Sequence, residues 1–376
     1  MEHLIRPSVA DMPPYVPGKR PDQITVDPGI TEIVKMSSNE CAFGVSPAAA
    51  QALRNAADRL FLYPASGDRM LCEKVGSILD IDPDRIIMGN GSDAVIYNLG
   101  MTILEPGDEV IIPEITFLIY RTIANIMNAR IAVIPMNNMR INTEAMLEAI
   151  TPRTKMIFLC NPNNPTGDTL DPAEVRRFLA AVPDRVLVVL DEAYIEFVDE
   201  ESDPDALGLL RSGMENLFIL RTLSKSCGIA GIRLGYGIGD PNLIAAMNRV
   251  KQPFEVSLAA QEVGMAALED RDFFHKVIDS TRAEMAYFRE QLDRLGLRYV
   301  DSQANFFLID TGMDADAVFG ELQRKGFIVR PGSIFGLSAH IRVTIGTREQ
   351  NRRFFQALEK IIAPVPSHSA KEGHST

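Results

Sequence analysis

No apolar run in this sequence is long enough to span a bilayer, which takes roughly 20 residues of helix. The opening MEHLIRPSVADMPPYVPGK lacks the apolar centre of a secretory signal. The four cysteines, Cys41, Cys72, Cys160 and Cys227, are scattered, with no CxxC pair and no histidine at metal-ligand spacing. Reduced, packing thiols in a cytoplasmic protein are therefore expected, rather than a metal site or a disulfide framework. There is no lysine- or arginine-rich stretch and the net charge is -12, which argues against nucleic acid and anionic membrane surfaces as partners. A local positive pocket stays compatible with that balance. No internal repeat is found.

What is present is a globular composition, 46% apolar and 23% charged, over 376 residues, a length that usually divides into two domains. Residues 1–45 are rich in proline and glycine and read as an extended N-terminal arm, assigned to the smaller domain. Residues 46–270 alternate short apolar runs with helical patterns. Strands are predicted at 84–90, 107–114, 130–136, 154–162, 185–193 and 216–224. Helices are predicted at 92–104, 117–129 and 172–182. Nearly all-apolar, β-branched runs suit central parallel strands covered on both faces. Strand–helix alternation implies right-handed crossovers and an α/β fold with a helix-covered, mostly parallel sheet. Residues 271–362 change character. A long amphipathic helix is predicted over 273–296, and strands at 304–311, 327–332 and 340–346 surround a helix at 314–326, as in a smaller α+β domain. The polar tail 363–376 is expected to be disordered.

In such sheets ligands sit beyond the carboxyl ends of the strands, and the notable polar residues fall there. In Asn90-Gly91-Ser92-Asp93 a strand turns through glycine into a helix. Ser92 and Asp93 either cap that helix or belong to an anion site made of its first N–H groups. The turn NPNNPTG (161–167) is a loop stop or a rigid mount for an asparagine donor. Asp191 ends the run VLVVL, and a carboxylate there needs a partner. That partner is a buried arginine or the protonated heterocyclic nitrogen of a ligand. Lys225 stands among Thr222, Ser224 and Ser226, with Arg233 nearby. A lone lysine is ordinarily solvated. In a desolvated pocket beside Arg233 it would lose proton affinity and become a nucleophile able to form a Schiff base. Together, an amine, an anion cradle and a strand-end carboxylate meet the needs of pyridoxal 5′-phosphate.

The segments SNE, YPASG, GNGSD, NPNNPTG, DEAYIEF, TLSKSCGIAGIRLGY and IRVTIGT occur in one order from about Tyr15 to about Leu358. In them the chain resembles the class I/II aminotransferases of fold type I, and most closely the branch acting on histidinol phosphate. The resemblance implies a pyridoxal phosphate enzyme with a large cofactor-binding domain and a smaller one. Lys225 would carry the cofactor and move the substrate proton. Asp191 would pair with the pyridinium nitrogen, Asn164 and Tyr194 would bond the 3′-oxygen, and Phe117 would stack on the ring. Ser92, Asp93, Thr222, Ser224 and Arg233 would hold the phosphate. Arg342 would grip a substrate carboxylate with Asn39 beside it, and Tyr15 and Arg330 would meet a substrate phosphate. Tyr63 would reach the neighbouring site of a homodimer. The small-molecule partners implied are an amino donor and a 2-oxo acid, 2-oxoglutarate, in a ping-pong reaction.

Two departures bear on the substrate. Cys41-Ala42 stands where the family often has Asn-Pro, and Ile115 where it often has proline. Aromatic amino-acid transamination, or decarboxylation of an amino-acid phosphate, are the alternatives. A firmly held carboxylate at Arg342 favours transamination over decarboxylation.

Overall fold

The apolar runs do become the strands of a central sheet, but one strand of that sheet carries no apolar run at all. The structure, a computed structural model, describes residues 4–10, 12–14, 16–64 and 68–362; Tyr15 and the tail 363–376 lie outside the described residues. After the arm comes β1 (Val34–Lys35), then β2 (Ile86–Asn90), β3 (Glu109–Pro113), β4 (Arg130–Ile134), β5 (Thr154–Cys160), β6 (Leu187–Asp191), β7 (Leu217–Thr222) and β8 (Leu234–Ile238). The last seven form one sheet in the order β2-β8-β7-β6-β5-β3-β4. It is parallel from β7 through β4, and β8 runs antiparallel to both its neighbours.

No strand is predicted at β8 because LGYGIG carries three glycines, which are poor strand formers. The packing explains them. A Cβ on Gly237 would meet the Phe218 ring at 2.2 Å, and one on Gly235 would meet the Ser92 amide nitrogen at 2.4 Å. The strand lies too close to its neighbours to carry side chains there.

Alternation along the central strands sends side chains to two cores. Ile157, Leu159, Val188, Leu190 and Ile219 face one. Met156, Phe158, Val189, Phe218 and Leu220 face the other. All are essentially inaccessible, and each such side chain contributes about 1.5–3 kcal/mol on burial. Helices cover both faces. Pro172–Ala181 starts where the Asp171 side chain accepts from the backbone of Ala173 and Glu174, as a helix start requires.

The remaining strands are β9 (Arg298–Tyr299), β10 (Phe306–Asp310), β11 (Phe327–Ile328), β12 (Arg330–Pro331) and β13 (His340–Thr344). They make an antiparallel sheet, β12-β13-β10-β9, and a parallel pair, β1-β11. The predicted strand 327–332 is thus two strands in two sheets, broken at Val329. Phe288, Phe307, Phe354 and Phe355 fill the core beneath. The long helix runs Arg271–Arg294, two residues earlier than predicted at each end; Asp270 caps its start. Among the described residues no helix is long and apolar enough to cross a membrane.

Strand register brings distant polar residues together at two places. Cys160 pairs with Asp191, Asp191 with Leu220 and Thr222 with Gly235, so these strand ends share one edge. Arg330 on β12 lies directly opposite Arg342 on β13.

Candidate active site

That edge, the loop Ser37–Glu40 and the β12–β13 pair enclose a cavity of about 350 Å³. Of the predicted site residues that the structure describes, all but Tyr63 line it. Tyr63 is 77% exposed and stacks on Phe254 with ring centroids 4.5 Å apart.

Lys225 follows β7 in a loop pressed against residues 38–44. A Cβ on Gly228 would meet the Gly44 carbonyl at 2.3 Å, and the positive φ of 67° there also favours glycine. The Lys225 Nζ donates to the Ser38 carbonyl at 3.3 Å and sits 5.7 Å from the Tyr194 ring centre. Burial first, and then the Arg342 charge, lower its pKa to about 8. This corrects the expectation that Arg233 supplies the depressing charge. Arg233 contributes less, and its guanidinium lies 3.5 Å from Asp93.

Among the described residues Asp191 pairs with no arginine. The buried guanidinium nearby, Arg221, points to the other face of the sheet edge and binds Glu192 at 2.7–2.8 Å. Instead, Asp191 Oδ2 accepts from the Tyr120 hydroxyl at 2.5 Å, and Oδ1 accepts from the Ala193 amide at 3.0 Å. Burial raises its pKa to about 6, against the pull of both donors.

The helix after β2 runs Gly91–Ile103, and no side chain caps it at Asn90. Ser92 and Asp93 are therefore not plain caps. Gly91 has a φ of 78°, and a Cβ there would meet Arg233 Nη2 at 2.3 Å. The glycine is what lets Arg233 approach the helix start. Arg233 itself adopts φ 61°. Thr222 Oγ1 accepts from the Ser224 amide at 3.0 Å, closing the turn beside them.

One hydrogen-bond network joins Asn39, Tyr194, Asn164 and Arg342. Asn39, in the left-handed region at φ 55°, donates to Tyr194 Oη at 2.9 Å. Asn164 donates to the same oxygen at 3.4 Å and accepts from Arg342 Nη1 at 2.6 Å. Arg342 Nη2 donates to the Ser37 carbonyl at 2.6 Å. Arg330 Nη2 donates to the Val16 carbonyl at 2.7 Å, tying the arm to the cavity. Phe117 is half-buried at the wall and meets Tyr120 edge-on at 5.7 Å.

Four groups escaped the sequence reading: Tyr120, the Ser37 and Ser38 carbonyls, and Glu40, which lines the cavity and pairs with Lys35 at 2.7 Å. Ser38 and Glu40 flank Asn39 in the segment SNE, and Tyr120 follows Phe117 by three residues on a helical pattern and so on the same face. Chemically, the cavity offers a partly deprotonated amine, a buried carboxylate with neutral donors, and three arginines. That suits an anionic, carbonyl-bearing ligand with a cationic ring nitrogen.

A family model described as aminotransferase class I and II matches residues 31–358. The histidinol-phosphate aminotransferase of Moorella thermoacetica is 43% identical over 358 residues, covering 95% of this chain and 93% of that protein. Histidinol-phosphate aminotransferase 2 of Carboxydothermus hydrogenoformans is 40% identical, covering 96% of this chain and 99% of that protein. A crystal structure of histidinol-phosphate aminotransferase from Sinorhizobium meliloti, in complex with pyridoxal-5′-phosphate, is similar with a TM-score of 0.82 at 26% identity, over 88% of this chain and 91% of that one.

Proposed function

This chain belongs to the class I and II aminotransferases, and from that membership we propose that it moves the amino group of histidinol phosphate to 2-oxoglutarate, using pyridoxal 5′-phosphate. The observation that carries the reading is Lys225: an amine with pKa lowered to about 8, in one cavity with the carboxylate of Asp191 and the Gly91–Arg233 cradle. The residues fit the cofactor. A Cβ at Gly91 or Gly235 would fill the cradle, and Asp191 presents a carboxylate whose protein partners are neutral.

Pyridoxal 5′-phosphate, when bound, supplies an aldehyde that condenses with amines and a ring that draws electrons from the amine-bearing carbon. Ser92, Asp93, Thr222, Ser224 and Arg233 would hold its phosphate, Asp191 its ring nitrogen, Asn164 and Tyr194 its 3′-oxygen, and Phe117 its face. Lys225 Nζ would carry the proton from the amine-bearing carbon of the donor to the carbon of the cofactor's aldehyde group, and in the second half-reaction from there to the carbonyl carbon of the 2-oxo acid. Arg342 with Asn39 holds the carboxylate of the 2-oxo acid. Histidinol phosphate has no carboxylate, so its phosphate would fall to Arg342 and Arg330, opposite each other across β12–β13. Tyr15 would assist.

The same reading makes the enzyme a homodimer in which Tyr63 reaches the neighbouring cofactor. The exposure of Phe61 (82%) and Tyr63 (77%) supports a partner on that face. We place residues 46–270 in the cofactor-binding domain and 271–362 with the arm in the smaller one. The four free thiols support a cytoplasmic location.

Borohydride reduction of the loaded enzyme, followed by peptide mapping, is expected to label Lys225; an unlabelled Lys225 would overturn the reading. A panel of histidinol phosphate, histidine, phenylalanine, tyrosine and phosphothreonine, followed by cofactor absorbance, tests the substrate. No spectral change with histidinol phosphate would remove that substrate and leave the cofactor assignment standing.

A further inference from the structure

A carboxylate as buried as Asp191 tends to take up a proton, and a neutral acid cannot pair with a cationic ring nitrogen. The protein can oppose protonation in two ways. A nearby arginine would do it, but would also cancel the charge that the ligand needs. A neutral hydrogen-bond donor stabilises the anion and leaves its charge uncancelled. The two sides of this sheet edge use one device each: Arg221 binds Glu192 behind it, and Tyr120 binds Asp191 in front.

We infer that the Tyr120 hydroxyl is a positioning residue for Asp191, holding Oδ2 so that an ionised carboxylate in one orientation faces the cavity. The phenol is itself fixed. Tyr120 is fully buried, its ring lies flat on Phe158 with centroids 4.3 Å apart and 8° between planes, and Phe117 packs against its edge. The Ala193 amide fixes the other carboxylate oxygen. Two donors on two oxygens leave the carboxylate no freedom to turn away from the cavity. Phe117 and Tyr120 lie one turn apart, so one helix start would carry both the ring's stacking wall and the group that orients its ionic partner. The inference rests on the proposed pairing of Asp191 with the cofactor ring nitrogen.

The test is titration of the apo-protein with pyridoxal 5′-phosphate across pH, for wild type, Tyr120→Phe, Asp191→Asn and the double variant. Losing a hydrogen bond to a charged group should weaken cofactor binding of Tyr120→Phe by on the order of tenfold. The pH at which cofactor is lost on acidification should rise, because Asp191 without its donor protonates more readily. In the Asp191→Asn background, Tyr120→Phe should add little. Several results would overturn the inference: Tyr120→Phe binding like wild type with an unmoved pH midpoint; the same loss in both backgrounds; or a lower apo-protein Tm with no pH shift. If Asp191→Asn itself binds like wild type, the pairing of Asp191 with the ring fails first. Should Tyr120→Phe not fold, 3-fluorotyrosine placed at 120 gives a more acidic hydroxyl and is expected to move the midpoint down; an unmoved midpoint refutes the inference.

Discussion

Asp191 and Glu192 are neighbours in sequence, both carboxylates and both buried, yet they face opposite sides of the sheet edge and meet opposite solutions. Behind the edge, Glu192 is fully enclosed and pairs with Arg221, itself only 8% exposed. Both contacts fall on Glu192 Oε2, so the two charges neutralise each other inside the protein. In front, Asp191 receives two neutral donors and keeps its charge for whatever enters the cavity. The back of the edge is built for stability and the front for binding. Substitutions on the two sides should therefore fail in different assays.

The largest effect is expected at the front. Lys225→Ala should reduce turnover by about a thousandfold or more, since it removes both nucleophile and proton carrier. Apo-protein stability should hold or rise near neutral pH, where a buried ammonium is a burden. Turnover within tenfold of wild type, in a purified variant, would erase the distinction between the sides. Next comes the back. Glu192→Ala takes from Arg221 its hydrogen-bonded partner, leaving the buried Glu196 as the carboxylate acting on it, and should cost about 3–5 kcal/mol in denaturant unfolding. Cofactor affinity at temperatures well below the transition should change little. A stability loss below about 1 kcal/mol would mean that the buried pair is not holding the edge.

Gly91→Ala is a smaller front-side change. The new methyl must push Arg233 aside, and the positive φ adds strain of about 1–3 kcal/mol. Cofactor affinity should fall by roughly tenfold or more, more steeply than Tm, and equilibrium dialysis against pyridoxal 5′-phosphate measures it.

Arg342→Gln sharpens the electrostatics. Lys225 is a base whose folded pKa, about 8, lies below its ordinary 10.5, through burial first and Arg342 next. Its contribution to apo stability is full above 10.5 and is lost as pH falls through about 8. Removing Arg342 lets the amine hold its proton more tightly, so the pH profile of cofactor loading should move upward. Glu40→Gln should move it down, because that carboxylate acts in the opposite sense. An Arg342→Gln profile superposing on wild type would assign the low proton affinity to burial alone.

Much of this was legible along the chain. Asp191 was identifiable because a carboxylate closing the run VLVVL has few uses, and Lys225 because small residues surround it. The long helix was legible from its periodicity to within two residues at each end, and Asp270 caps its start. β8 was not legible: its glycines answer to Phe218 and Ser92, which are distant in sequence. Nor was the break at Val329, where one apolar stretch serves two sheets. Tyr120 read as a core aromatic on a helix, since its partner lies far along the chain.

The sequence by itself determined, to within two residues, where every strand of the central sheet but β8 ends, because apolar runs and turn residues act locally, over a few neighbours. It thereby put amine, amides and carboxylate on one edge of one sheet. Only the tertiary structure decided which group acts most on each: Arg342 more than Arg233 on Lys225, and Tyr120 rather than Arg221 on Asp191. Proton affinity depends on burial and on distances of a few ångströms between groups far apart in the chain. Those distances exist only once the two cores have packed.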